Sequence, residues 1–568
     1  HIRINEAEQA VSLTFQLLGD FHTMNRTYGE TVEKSLQRFS ITCRTKLSKS
    51  SKKAERSKKK LKSKEDESRL ESFEQITTPT KSRPPRILSE NNIECDIVSL
   101  RNHELETGMM VKLDHLTFQV VVNPPTVISL GAYPRSCIYV GCPIVPQVSI
   151  EFGDDYACIW SCETSPQSGN FETVCTDKVY CPAATAIGCK VKVFCSAICS
   201  NSGQTGRAVV FYLTGDVQSI DREFNRMLSF RRDTKVRGED ELRIMTYNIL
   251  AEPFATSEQA YSTLYPYCEK EYLQSEFRIQ RILAELFACD ADVICLQECD
   301  LRSFESYLLP LLGLRGYAGH FTCKGSTEGC ATFTRRSTLR VVQRIDLPLK
   351  NVLRDAPYLK NLYEQRPDLV DVIGGKLGTV AQICVLQSCQ RPDTAIVVAN
   401  THLFYHPLAS FLRAIQCYAI TQTLECIQTS IEANVARPVK ATVMLCGDLN
   451  SSPNIAALQL LRNVDTDLLV EKMKKASLHC TNKESAGLQP VLTHRLGLVS
   501  AGGYPEFSNF TPSFQQLLDY VMVQDRHFEV LRAAPCPGSE VLSEFTALPS
   551  AVIPSDHISI VVDLKFKS

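Results

Sequence analysis

The stretches TAIVVANTHL (394–403) and ATVMLCGDLNS (441–451) decide how this chain is read. Each is a short, almost wholly apolar run that stops on polar functional groups: His402 in the first, Asp448 and Asn450 in the second. A β-strand buried on both faces has this composition. The layout recurs. RIMTYN ends at Asn248, DVICLQE ends at Glu298, LLDYV is entered through Asp519, and SDHISIVVDL is preceded by Asp556 and His557. Six such edges on one sheet system converge on one rim, where α/β folds hold their sites. Between strands, YLQSEFRIQRILAELFAC (272–289) spaces Phe277, Ile282, Leu283, Leu286 and Phe287 along one helical face. The expectation is a layered α/β domain over 241–568.

Working outward, 568 residues exceed what one hydrophobic core serves, so two or three domains are expected. Lys plus Arg (62) nearly cancels Asp plus Glu (63), so net charge says nothing about a nucleic-acid partner. No stretch is apolar for the length of a membrane span, and none is expected. Residues 1–43 read as a strand and helix segment joining a β domain. Residues 44–86 contain KLSKSSKKAERSKKKLKSK and read as a disordered linker, either a solvated tether or a contact for RNA phosphates. Over 87–220, bursts such as VKLDHLTFQVVVN, QVSIEF, KVKVFC and AVVFYLTG alternate apolar and polar residues, as a β-sandwich does. Residues 221–240 form a polar connector.

Nine cysteines fall between Cys137 and Cys199, among them the CxxxC pairs Cys158/Cys162 and Cys195/Cys199. No histidine spacing completes a zinc site, which leaves buried thiols as the better reading. Cys295, Cys384 and Cys446 sit inside apolar runs and read as small buried hydrophobes.

The strand-end residues are carboxylates, amides and imidazoles without a thiol, a set that suits a hard cation such as Mg²⁺ or Mn²⁺ better than zinc. Phosphate-ester cleavage needs such a cation, a base to aim water and a donor for the phosphate oxygens. Two segments stand out. GDLNS sets Asp448 and Asn450 on one side of a strand end, and SDH pairs a carboxylate with a histidine where structure alone needs neither.

The ordered set TYNIL, LQE, NTHL, GDLNS, LDYV and SDH resembles the endonuclease/exonuclease/phosphatase family. TLYPYCEKEYLQSEFR, EGCATF, NTHLFYHP and ALPSAVIPSDHISIVVDLK resemble its mitochondrial 2′,5′-phosphodiesterase and deadenylase branch, and SLTFQLLGD and SIEFGD extend the likeness upstream. The resemblance implies a four-layer α/β sandwich of DNase I type after an all-β N-terminal domain. It implies a Mg²⁺-dependent 3′-end exoribonuclease and 2′,5′-phosphodiesterase degrading 2′,5′-oligoadenylates and the poly(A) tails of RNA to AMP in the mitochondrial matrix, with no obligate protein partner. Carried over by position, Glu298 is the principal metal ligand, supported by Asn248. Asp448 orients and deprotonates water close to the metal, with Asn450 as its partner. His557 binds the scissile phosphate and is oriented by Asp519, Asp556 lies near the metal, and His402 stabilises the transition state. Phe514 and Pro407 sandwich an adenine. Gln515 and Gln516 depart from the family's pattern beside that base pocket. A phosphomonoesterase of the same fold and an RNA-binding module with an inert site are the alternatives.

Overall fold

The computed structural model describes residues 2–5, 10–17, 20–58, 85–231, 237–325, 327–365, 367, 370, 373, 377–407, 409–433, 439–462 and 494–567. In the C-terminal half, twelve strands form two six-stranded sheets: β1 (Glu241–Asn248), β2 (Val293–Asp300), β3 (Tyr317–Cys323), β4 (Glu328–Arg335), β5 (Leu339–Pro348), β6 (Val380–Ser388), β7 (Thr394–His402), β8 (Lys440–Asp448), β9 (Leu498–Ser500), β10 (Asp519–Gln524), β11 (Phe528–Ala533) and β12 (Ile560–Phe566). One sheet runs β3-β4-β2-β1-β12-β11 and the other β5-β6-β7-β8-β10-β9.

Side-chain alternation divides every central strand between two cores. Ile244, Val293, Cys295, Ile396, Val398, Met444 and Cys446 meet in the interior between the sheets. Met245, Ile294 and Leu296 instead face α1 (Ser275–Cys289), while Val397, Val443 and Leu445 face α2 (Ser410–Glu432). That gives the layers α/β/β/α and explains why the middle stretches of these strands are almost wholly apolar. Each fully buried Val, Ile or Leu contributes about 1.5–3 kcal/mol.

The two parallel pairs, β1 with β2 and β7 with β8, lie at the centre of their sheets. Register then decides which residues meet: His402 is opposite Asp448, and Asp448 is opposite Asp519. The strand ends therefore gather on the rims of two facing sheets, not of one. Asn248 and Glu298 come from the first sheet; His402, Asp448 and Asp519 come from the second.

The N-terminal part departs from expectation. A helix over Val32–Lys58 runs through the first part of the segment expected to be a disordered linker. Its reason is legible afterwards: Val32, Leu36, Phe39, Cys43 and Leu47 keep a helical spacing into the Lys-rich run and pack on one core. The remainder of that segment, 59–84, lies outside the described residues. Two three-stranded sheets, Ile2–Asn5 with Ala10–Leu17 and Asp20–Thr27, and Arg86–Leu88 with Met110–Leu113 and Leu116–Gln119, share that core with the helix. The strands at 86–119 thus belong to this α+β unit rather than to the following sandwich.

That sandwich covers the strands from Thr126 to Gln218 around the fully buried Trp160. Cys158 and Cys162 sit four residues apart on one strand, about 13 Å at strand rise, so the CxxxC spacing gathers no metal site. Cys158 is instead opposite Cys195 on the neighbouring strand, with their sulfurs 3.2 Å apart. The sandwich caps α1: the backbone N–H groups of Arg135 and Ser136 donate to Glu276 at 3.0 and 2.8 Å, and Tyr133 bonds Ser275 at 2.8 Å. The connector begins as a helix, Arg222–Arg231, that buries Phe224 and Leu228 against Ala288. No helix among the described residues is long and apolar enough to cross a membrane.

Candidate active site

Backbone geometry aims the strand ends. Opposite β4, the register of β2 shifts between Leu296 and Cys299, and Glu298 inside this bulge adopts a left-handed φ of 50°. A bulge of this kind redirects one side chain off the pleat. On β8, Gly447 has φ 142°, and a Cβ there would stand 1.9 Å from the Thr401 carbonyl oxygen, so glycine alone fits before Asp448. The chain then turns, with Asn450 at φ 46° and its N–H bonded to Asp448 Oδ1 at 2.8 Å. Strand alternation therefore does not bring Asp448 and Asn450 together; a tight turn after the strand does.

Asn248 sits between the two carboxylates. Its Nδ2 donates to Glu298 Oε1 at 3.0 Å and to Asp448 Oδ2 at 3.1 Å, while its Oδ1 accepts the Leu250 N–H at 3.1 Å. That backbone donor fixes which way the amide points, so Asn248 orients the carboxylates by donation. Glu298 also accepts the Ala251 N–H at 3.1 Å. Asn450 ties its side-chain amide to the Leu403 carbonyl at 2.9 Å.

Across the rim, His557 Nδ1 meets Asp519 Oδ2 at 2.7 Å, and Ser508 donates its hydroxyl to the same oxygen at 2.6 Å. His557 Nε2 lies 3.7 Å from Asp448 Oδ2. His402 stands between the halves, Nε2 3.5 Å from Asp448 Oδ2 and Nδ1 3.9 Å from Glu298 Oε1. Asp556 accepts from the Tyr265 hydroxyl at 3.0 Å and from Asn509 at 3.3 Å.

Burial, then the nearby Asp519 charge, pushes the Asp448 carboxyl up to about 7 against the pull of His557. His557 suffers the same desolvation, but Asp519 outweighs it and holds the imidazole well above the ordinary histidine range. His402 goes the other way: burial first, then Lys324 and His557, keep it neutral.

The sequence-predicted residues Asn248, Glu298, His402, Asp448, Asn450, Asp519, Asp556 and His557 thus form one connected site. Phe514 and Pro407 are exposed on flanking loops; the Pro407 loop is clamped by buried Arg413, which donates to the carbonyls of Phe404, His406 and Pro407 and to Ser451. Gln515 and Gln516 are exposed in a two-residue strand paired with Asn509 and Phe510.

Sequence reasoning missed several supports. Lys324 reaches to 3.4 Å from His402 Nδ1. Ser508 fixes Asp519, and Tyr265 fixes Asp556. Ser555 donates to the Asn248 carbonyl at 2.7 Å. Arg278, fully buried, donates to the carbonyls of Ile249, Leu250, Leu273 and Pro554 and so joins the loop after Asn248 to the loop before His557. An arginine among the apolar residues of an otherwise core-facing helix was the available signal for this one.

The donor set suits a divalent cation. Among the described residues neither Glu298 nor Asp448 is ion-paired to a lysine or arginine; the basic groups beside them are the two histidines. Ligand-type atoms of Asp448, Asp519 and His557 also lie within 4.8 Å of one another. There, though, His557 Nδ1 and Ser508 both engage Asp519 Oδ2, which makes His557 and Asp519 a proton-handling pair. Glu298 and Asp448, bridged by Asn248 and without a lysine or arginine partner among the described residues, are the better cation ligands.

The profile of the Endonuclease/Exonuclease/phosphatase family matches residues 245–557. The chain is 30% identical over 484 residues to 2′,5′-phosphodiesterase 12 of Rattus norvegicus, covering 81% of this chain and 77% of that protein. It is 25% identical over 342 residues to the CCR4-Not complex 3′-5′-exoribonuclease subunit Ccr4 of Saccharomyces cerevisiae, covering 57% of this chain and 38% of that one. Among solved structures, ANGEL2, described as a 2′,3′-cyclic phosphatase, is 21% identical with a TM-score of 0.46, covering 57% of this chain and 95% of that one. The chain belongs to the endonuclease/exonuclease/phosphatase family and is a hydrolase of its nuclease and phosphodiesterase kind.

Proposed function

We propose that this chain is a Mg²⁺-dependent 3′-end exoribonuclease and 2′,5′-phosphodiesterase that degrades 2′,5′-oligoadenylates and poly(A) tails to AMP. The observation that carries the reading is the convergence on Asp448, a buried carboxyl joined through Asn248 to Glu298 and standing 3.5 Å from His402 Nε2 and 3.7 Å from His557 Nε2. A carboxylate base set between a cation site and imidazole donors is what phosphodiester hydrolysis by water requires.

Glu298 and Asp448, set by Asn248, would hold the cation, which when bound neutralises charge on the phosphoryl and leaving oxygens. Asp448 takes the proton of the attacking water. The water oxygen bonds to phosphorus, and the bond from phosphorus to the ribose 2′ or 3′ oxygen of the penultimate nucleotide breaks, its electron pair leaving on that oxygen, which takes a proton from solvent. His557, with Nδ1 held by Asp519, aims its Nε2–H at a phosphate oxygen. Lys324 donates to His402 Nδ1, so the His402 proton sits on Nε2, facing the pocket. Phe514 and Pro407 are the proposed stacking pair for adenine, and base stacking is worth roughly 1–3 kcal/mol.

The names of relatives support both linkages: one is a 2′,5′-phosphodiesterase and another a 3′-5′-exoribonuclease. Purified protein with 2′,5′- and 3′,5′-linked oligoadenylate and Mg²⁺ is expected to release AMP, and Glu298→Ala to release none. Absence of AMP from both substrates refutes the proposal, and orthophosphate in its place marks a phosphomonoesterase. Mitochondrial matrix placement rests on resemblance; organelle fractionation is expected to recover the protein there, and its absence from that fraction overturns the placement.

A further inference from the structure

The accessory sandwich turns one sheet face away from its core. Lys190–Cys199 lies in the middle, flanked by Asp155–Glu163 and Val209–Gln218, with Phe171–Cys175 at the edge. Inward positions of the middle strand, Val191, Val193, Cys195 and Ala197, are buried; the alternate ones carry Lys190, Lys192 and Phe194 outward. Register places Lys192 opposite Tyr212, and Phe194 opposite both Ile159 and Val210. The Lys192 ammonium stands 4.0 Å from the Phe171 ring centre, 5.3 Å from Phe194 and 5.5 Å from Tyr212. Tyr212 is 55% exposed, and Ile159, Val174 and Val210 are each at least 40% exposed.

Large apolar side chains scattered singly need no explanation, but this many on one face around a cation do. Among the described residues Lys192 makes no ion pair. Of the nearby carboxylates, Glu163 accepts the backbone N–H groups of Gly169 and Lys190, Asp155 is paired to Lys178, and Asp216 lies opposite Lys190 at the rim. The centre of the face therefore offers aromatic rings and a positive charge without a counter-charge. Rings that accept bases and a lysine that accepts phosphate complement a single-stranded nucleic acid.

We propose that this sheet face binds a single-stranded segment of the nucleic-acid substrate, stacking bases on Tyr212 and Phe194 and pairing a phosphate with Lys192. The proposal rests on the nuclease reading of the C-terminal domain, and binding measured without turnover separates the two. Fluorescent oligoadenylate of about twenty nucleotides is titrated into the full chain with chelator present. Lys192→Gln combined with Tyr212→Ala is expected to raise its Kd about tenfold, with a shallower salt dependence. Lys192→Arg combined with Tyr212→Phe restores binding. In Mg²⁺ the first double variant is expected to raise KM for the long substrate while leaving kcat and KM for the 2′,5′-linked dinucleotide unchanged, since a dinucleotide has no segment left for the sheet. If the wild-type protein releases no AMP yet the Kd effect holds, the catalytic reading falls and the binding face stands. An unchanged Kd overturns the proposal. So does an equal loss on the dinucleotide, which would place the defect in the catalytic cleft, or a loss of self-association with Kd unchanged, which would give the face to a second copy of the chain. Tyr212 is exposed and Lys192 half-buried, and an unchanged far-ultraviolet circular dichroism spectrum and melting temperature confirm that a variant has folded.

Discussion

Asp519→Asn replaces one oxygen of a buried carboxylate by an amide and leaves the volume intact, so its effect isolates the charge behind His557. In the native site Asp519 Oδ2 accepts from His557 Nδ1 at 2.7 Å and from Ser508 at 2.6 Å, and both ring and carboxylate are buried. Hydrogen bonds to a charged group contribute about 1.5–3 kcal/mol each. Leaving a charge unpaired in the interior would cost about 3–5 kcal/mol, but His557 can lose its proton and avoid that. We therefore expect the C-terminal domain to lose about 1.5–3 kcal/mol. The loss should depend on pH with a definite sign. Desolvation lowers His557 and Asp519 raises it, for a net value well above the ordinary one. The resulting stabilisation is fully present below the unfolded histidine value of about 6.5 and fades as pH rises through the folded value. The deficit should be largest near about pH 6 and smaller in alkali. Turnover should fall about 10²–10³-fold, because an imidazole without its partner no longer presents a cationic Nε2 to the phosphate. Denaturant unfolding across pH, together with kcat on oligoadenylate, measures both. A variant with native turnover and a pH-independent deficit would refute the assigned role of the dyad.

Glu298→Gln should weaken Mn²⁺ binding about tenfold or more by calorimetry and abolish turnover, with little effect on the melting profile. Chelation should stop turnover, and excess Mg²⁺ should restore it. Arg278→Ala should cost about 3 kcal/mol or more, because four buried carbonyls lose their donor, and added cation should not rescue its activity. Tyr265→Phe removes one donor to Asp556 and should cost about 0.5–1.5 kcal/mol with a smaller activity loss than Asp519→Asn.

The sequence by itself determined the strands and the chemistry at their ends. A strand buried on both faces must be apolar throughout, so NTH, GDLN and LQE stand out as polar stops. It could not place those stops on two facing sheets, because which strands pair depends on contacts far apart in the chain. Nor could it foresee that Glu298 is aimed by a bulge or that Asp448 and Asn450 meet through a turn after Gly447, since both depend on backbone angles and on the Thr401 carbonyl of a neighbouring strand. The Lys-rich helix was missed for a related reason. Charge density suggested a solvated tether, whereas Cys43 and Leu47 extend an apolar stripe whose partners, Ile87 and Val120, lie far along the chain. What tertiary structure alone decided is the electrostatics: burial shifts the Asp448 carboxyl up and the His402 imidazole down because the two sheets close over them and exclude water.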